Sequence, residues 1–152
     1  MTSSLPGKVT VIDFETTSLV DPRVIRPPKD ASKQSLGRAK LSMKQLTESG
    51  SFSDYWPHIY PFINKRVLVA HNAQFDNRVL IAELADLDIS YQVPMLCTYK
   101  LSLDINPNLR VHRLPVLAKH FEIKLDAHKA LHDARATAKL FKKFSQMNSK
   151  VF

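Results

Sequence analysis

The chain has 152 residues, 44% of them hydrophobic, which suits a single domain built around one core. It contains no run of 18 or more apolar residues, and MTSSLPGK lacks a charged head followed by an apolar stretch. Neither a membrane span nor a signal peptide is expected, and a cytoplasmic location is. Lys and Arg number 22 against 14 Asp and Glu, a net charge of +8 that favours polyanionic partners, while only three glycines exclude a P-loop or dinucleotide fingerprint.

The first element is VTVIDFETT, residues 9 to 17, an apolar run that reads as a strand and ends in Asp13 and Glu15. Side chains alternate along a strand, so Val9, Val11, Asp13 and Glu15 share one face. Two carboxylates one strand step apart, roughly 6–7 Å, repel by about 2–3 kcal/mol at an effective dielectric of 20. A solvated end or a bound cation must relieve that repulsion.

The segment after it, LVDPRVIRPPKDASKQSLGRAKLSMK, is rich in Pro, Lys and Arg and reads as loop, with a short helical turn near Leu41 to Leu46. SFSDYWPHIYPFI carries Phe52, Trp56, Ile59, Tyr60 and Ile63 near helical spacing, with Ser51 or Ser53 as N-cap. Pro57 fits the first turn of that helix only if the helix starts late. KRVLVAHN has the short continuous apolar run of a strand buried on both faces, as in a parallel sheet. NAQFDNRVLIAELADL turns helical, with Phe75, Val79, Ala82 and Leu84 to Leu87 facing inward. A further strand around Pro94 to Thr98 completes a strand–helix–strand unit with a right-handed crossover. It contains the only cysteine, Cys97, read as a buried small hydrophobe. Residues 113 to 121 and 128 to 146 read as helices, the last with Ala130, Ala134, Thr137, Phe141 and Phe144 on one face.

Ligands of open parallel sheets gather outside the carboxyl ends of the strands. Asp13 and Glu15 stand at one such end, Asp76 in the first turn of the helix after the next strand, and Asp133 in the first turns of the last helix. Asp76 and Asp133 also suit helix N-termini through the dipole alone. Gathered in one place, though, four carboxylates repel or take up protons unless cations join them, and hard oxygen donors suit Mg²⁺ or Mn²⁺. No Cys/His cluster has zinc spacing. His128, just before the helix of Asp133, is within reach of a water in such a site and titrates near neutrality. His132 reads as surface.

VIDFETTSL, VAHNAQFDNRVL and HKALHDARATAKLF, in that order, resemble the three motifs of the DnaQ-like 3′–5′ exonucleases of the DEDDh class, and PMLCTYKLSL and HRLPVLAKHFEI resemble the sequence between motifs. The resemblance implies an α/β, ribonuclease H-like mixed sheet flanked by helices. It also implies two Mg²⁺ or Mn²⁺ ions on Asp13, Glu15, Asp76 and Asp133, with His128 as general base. The substrate would be a nucleic acid 3′ end, single-stranded DNA first and RNA second. Leu19 matches the residue that wedges against the terminal base, the backbone of Phe14, Thr16 and Thr17 would lie near the terminal sugar, and His71 and Asn72 would line the same cleft. A DNA polymerase is a partner the resemblance brings with it.

The sequence departs from the family in one place. A two-stranded hairpin normally follows the first strand and needs roughly 20 residues. Only SLVDPR separates the first motif from VIRPP, so the second and third strands are expected to be absent and the sheet shortened. The first strand then becomes an edge, to be covered by the basic segment or by a homodimer. Two other readings compete: a nucleic-acid-binding domain whose truncated sheet has cost it catalysis, and a tethering module whose basic segment binds protein.

Overall fold

The computed structural model describes residues 8–14, 44, 50–92, 94–127 and 129–147. Three strands, β1 (Val9–Val11), β2 (Val67–Ala70) and β3 (Met95–Cys97), form one sheet in the order β1-β2-β3, and both pairs are parallel. Five helices accompany them among the described residues: α1 (Phe52–Ile63), α2 (Ala73–Ala85), α3 (Thr98–Ile105), α4 (Leu114–His120) and α5 (Ala130–Met147). The architecture is α/β with a sheet flanked by helices, as expected; among the described residues the sheet is parallel rather than mixed, and the expected absence of a second and third strand concerns a segment outside them. Apart from Lys44, which is helical, the segment read as loop and turn lies outside the described residues.

Two apolar clusters sandwich the sheet. On one side Leu117, Ala136, Leu140 and Phe144 pack with Val69, and Val9 and Val11 lean on them. On the other, Phe52, Ile63, Leu80 and Leu84 pack with Leu68, joined by Ile12 and Phe14. The period-two expectation for the first strand therefore holds: Val9 and Val11 face α5, Ile12 and Phe14 face α1 and α2. Leu68, Val69 and Ala70 are fully buried, the signature of a strand covered on both faces.

Several local readings need correction. The first helix starts at Phe52 and takes both Pro57 and Pro61 into its interior. Ser51 anchors that start, its N–H and hydroxyl both donating to Asp54 Oδ2 at 2.6 and 2.7 Å. Phe52, Trp56 and Tyr60 then stack four residues apart, with ring centroids 5.6 and 5.5 Å from one another, which favours the helix against the two missing proline donors. The inner side of α2 is Ala73, Asp76, Val79, Leu80, Glu83 and Leu84 rather than a stripe through Phe75 and Ala82, which are half-buried. Cys97 is half-buried too, and Thr98 opens α3, a helix not anticipated from the sequence.

Candidate active-site cleft

The β2–α2 connection is a two-residue turn at the carboxyl edge of the sheet. Asn72 adopts the left-handed conformation (φ 65°, ψ 45°), one that Asn tolerates better than most residues, and its carbonyl accepts from Phe75 N–H at 2.9 Å. The helix therefore begins immediately, and Asp76 falls in its first turn facing the sheet, 2% exposed. Its Oδ1 accepts the main-chain N–H of Phe14 at 3.0 Å, which ties the end of β1 to α2. At the head of α5, Asp133 N–H donates to the carbonyl of Lys129 at 3.0 Å, which sets the first turn from which its carboxylate projects.

Asp13, Asp76 and Asp133 line one cleft of about 340 Å³, together with Phe14, His71, Asn72, Phe75, Leu114, Pro115 and Ala127. Three of the expected carboxylates and three of the expected substrate contacts thus meet at one place. Glu15, Thr16, Thr17, Leu19 and His128 lie outside the described residues. His132 is exposed, as expected. A larger hollow of about 590 Å³ between α2, β3 and α3 shares Asn72 with the cleft, but Asp104 is the only acid in its lining.

The donor set suits a hard divalent cation, since the cleft offers carboxylate oxygens and no thiol. Among the described residues alone, no three Asp, Glu, His or Cys side chains close to the spacing of a metal site.

His71 contributes differently. Burial lowers its pKa to about 4, against a smaller opposing effect from a hydrogen bond to the main chain of His112. Its Nδ1 lies 3.0 Å from Thr98 Oγ1, itself 3.3 Å from the carbonyl of Ala70. Tyr99 sits edge-on to both His71 and His112, with centroids 6.0 and 6.2 Å apart. His112 is buried with Nε2 2.9 Å from the Leu109 carbonyl, which only accepts, so Nε2 carries the proton. Its Nδ1 meets Ser102 Oγ at 2.9 Å. This polar network under the cleft joins β2, α3 and the chain leading to Leu114 and Pro115. Sequence reasoning passed over Thr98, Ser102, His112, Leu114 and Pro115; the one available signal was HRLPVLAKH, in which a histidine precedes an apolar helix opened by proline.

Comparison with known proteins adds to the geometry. Residues 24–141 match the family model described as Exonuclease, a stretch that holds Asp76, His128 and Asp133 but begins after Asp13 and Glu15. A DNA polymerase III PolC-type of Clostridium perfringens is 31% identical over 133 residues, 87% of this chain and 9% of that protein. One of Caldanaerobacter subterraneus subsp. tengcongensis is 28% identical over 171 aligned residues, 91% of this chain and 12% of that protein. Those 171 positions outnumber the 152 residues here, so that relative carries residues within the aligned stretch that this chain lacks. RNA exonuclease 4 of Gibberella zeae is 26% identical over 137 residues, 90% of this chain and 42% of that protein. The chain thus spans about a tenth of the PolC-type relatives and under half of the last.

Proposed function

The chain belongs to the exonuclease family and has its α/β, ribonuclease H-like fold, and on that premise we propose that it is a metal-dependent 3′–5′ exonuclease acting within a single domain. The observation that carries the reading is the meeting of Asp13, Asp76 and Asp133 in one cleft at the carboxyl edge of a parallel sheet. Three acids lining one cleft suit bound cations better than they suit a surface that must receive a polyanion unaided.

Asp13, Glu15, Asp76 and Asp133 would hold two divalent cations, Mg²⁺ or Mn²⁺. When bound, such cations polarise the scissile phosphate and stabilise the charge on the leaving 3′ oxygen. His128 takes the proton of the attacking water, a task for which imidazole is the common general base. The backbone of Phe14, Thr16 and Thr17 lies along the terminal sugar, Leu19 wedges against the terminal base, and His71 and Asn72 form the wall behind it. His71 is held neutral there by burial, so it supplies shape and not charge. The product is a nucleoside monophosphate. DNA is the favoured substrate because PolC-type DNA polymerases are among the relatives, and association with a polymerase follows the same line.

The test is a time course on a 5′-labelled single-stranded oligonucleotide with Mg²⁺, Mn²⁺ or EDTA, beside Asp76→Ala and His128→Ala. A ladder shortening from the 3′ end, abolished by EDTA and by either substitution, is the expected result. An intact substrate with folded protein and metal present would move the assignment to a binding-only domain.

A further inference from the structure

The outward side of α5 is uniformly charged over its middle turns. Arg135, Lys139, Lys142 and Lys143 are all exposed, and at about 100° per residue they fall on one arc, opposite the buried Ala136, Leu140 and Phe144. Between Arg135 and Lys143 every exposed side chain is a cation, and the helix's single acid, Asp133, lies on the other side, in the cleft. Arg135, Lys139 and Lys143 succeed one another four residues apart, where like charges weaken a helix. The helix dipole rewards cations only in the last turn, which Arg135 and Lys139 do not reach. None of the four is held in an ion pair among the described residues, whereas Lys129, just ahead of the helix, is paired with Asp126.

We propose that this stripe carries the phosphodiester backbone of the strand whose 3′ end enters the cleft. The identity of that polyanion rests on the exonuclease reading above. The stripe runs away from the end of α5 at which Asp133 lines the cleft, so a strand leaving the cleft over the first turn of α5 meets the cations in succession. From Arg135 to Lys143 the helix rises about 12 Å. That length passes roughly three phosphates of a stacked strand at about 3.4 Å per nucleotide. An acidic protein fits less well, because protein interfaces centre on apolar or aromatic anchors and the middle of this face exposes none. The stripe therefore sets a substrate class: strands long enough to lie along α5 are held, and the shortest oligonucleotides are not.

The experiment compares the parent with the combined Arg135→Gln, Lys139→Gln, Lys143→Gln variant, after thermal unfolding has shown that the variant is folded. Binding of a labelled single strand of about 20 nucleotides is followed by fluorescence anisotropy in EDTA across a salt series, and cleavage of that strand and of a trinucleotide is followed with Mg²⁺. The variant is expected to bind the long strand about tenfold more weakly or worse at low salt, with a salt slope shallower by about 2, at about 0.7 for each phosphate no longer neutralised. Its kcat/KM falls in proportion on the long strand and is unchanged on the trinucleotide. Unchanged affinity and slope would overturn the proposal and leave the stripe to an acidic protein; an equal loss on the trinucleotide would overturn it as well. A parent that binds the long strand through the stripe but cuts neither substrate would sink the exonuclease reading and leave the stripe standing.

Discussion

The main-chain N–H of Phe14 donates to Oδ1 of Asp76 across 3.0 Å. A carboxylate proposed to hold a cation therefore also fixes the segment that presents Asp13. The two jobs can be separated by substitution.

Asp76→Asn keeps an oxygen for Phe14 and discards the charge, whereas Asp76→Ala discards both. The Ala variant leaves a half-buried N–H without its acceptor and is expected to lose about 1–2 kcal/mol in urea unfolding. The Asn variant should unfold within about 1 kcal/mol of the parent. Nuclease activity should vanish in both. Equal stability losses would mean that the hydrogen bond contributes nothing.

His71 makes stability depend on pH in a defined window. Burial holds its folded pKa at about 4, below the ordinary 6.5, so between those values the unfolded chain binds a proton that the folded one refuses. Its contribution is complete above pH 6.5 and falls as the pH drops toward 4, by up to about 3 kcal/mol. Denaturant titrations at several pH values should show this slope, and His71→Gln should flatten it. A parent curve that is level between pH 6.5 and 4 would contradict the burial of an uncharged ring.

Divalent cations should stabilise as well as activate. If Asp13, Glu15, Asp76 and Asp133 share a site, Mg²⁺ binds the folded chain and not the unfolded one, and the thermal midpoint rises with its concentration. At about a hundredfold excess over Kd the gain is about 2.7 kcal/mol. Asp13→Asn should abolish that rise. A midpoint indifferent to Mg²⁺ in the parent would argue against a resident cation.

His112 is expected to matter to the cleft without touching it. Replacing it by Ala strips the Leu109 carbonyl and Ser102 of a buried partner and opens a hole under Tyr99, a loss of about 2–3 kcal/mol. Limited proteolysis should then cut residues 106–113 faster than in the parent, because the network no longer pins that connection. Unchanged cleavage would show that the segment is held from elsewhere.

Much of this arrangement is legible in the sequence. The continuous apolar run of residues 67–70 and the alternation that begins at Val9 are periodic signals, and both strands appear there, the first ending at Val11, short of the reach of its apolar run. Asp13, Asp76 and Asp133 can be gathered because each stands at a strand end or a helix start, positions that parallel topology brings to one edge. α3 is not legible for a local reason. It follows β3 without a break, and its N-cap, Cys97, offers no side-chain oxygen to mark a start. The start of α1 is obscured because Pro57 reads as a boundary unless the Ser51–Asp54 contacts and the aromatic stack are known to outweigh it. The network of His71, Thr98, Ser102 and His112 is hidden because its members belong to different elements and share no period.

The parallel register has a consequence for how the protein comes to be folded. Val9 lies opposite Val67, and Leu68 opposite Met95, so neither of these two ladders closes through a tight hairpin. On the ribosome, β1 emerges first and has no partner among the described strands until residues 67–70 follow it out. The sheet assembles only after distant stretches of chain have been brought together, which places the protein among slower folders. Until that moment the three short apolar strands present unpaired backbone to any neighbour, the aggregation hazard of parallel pairing.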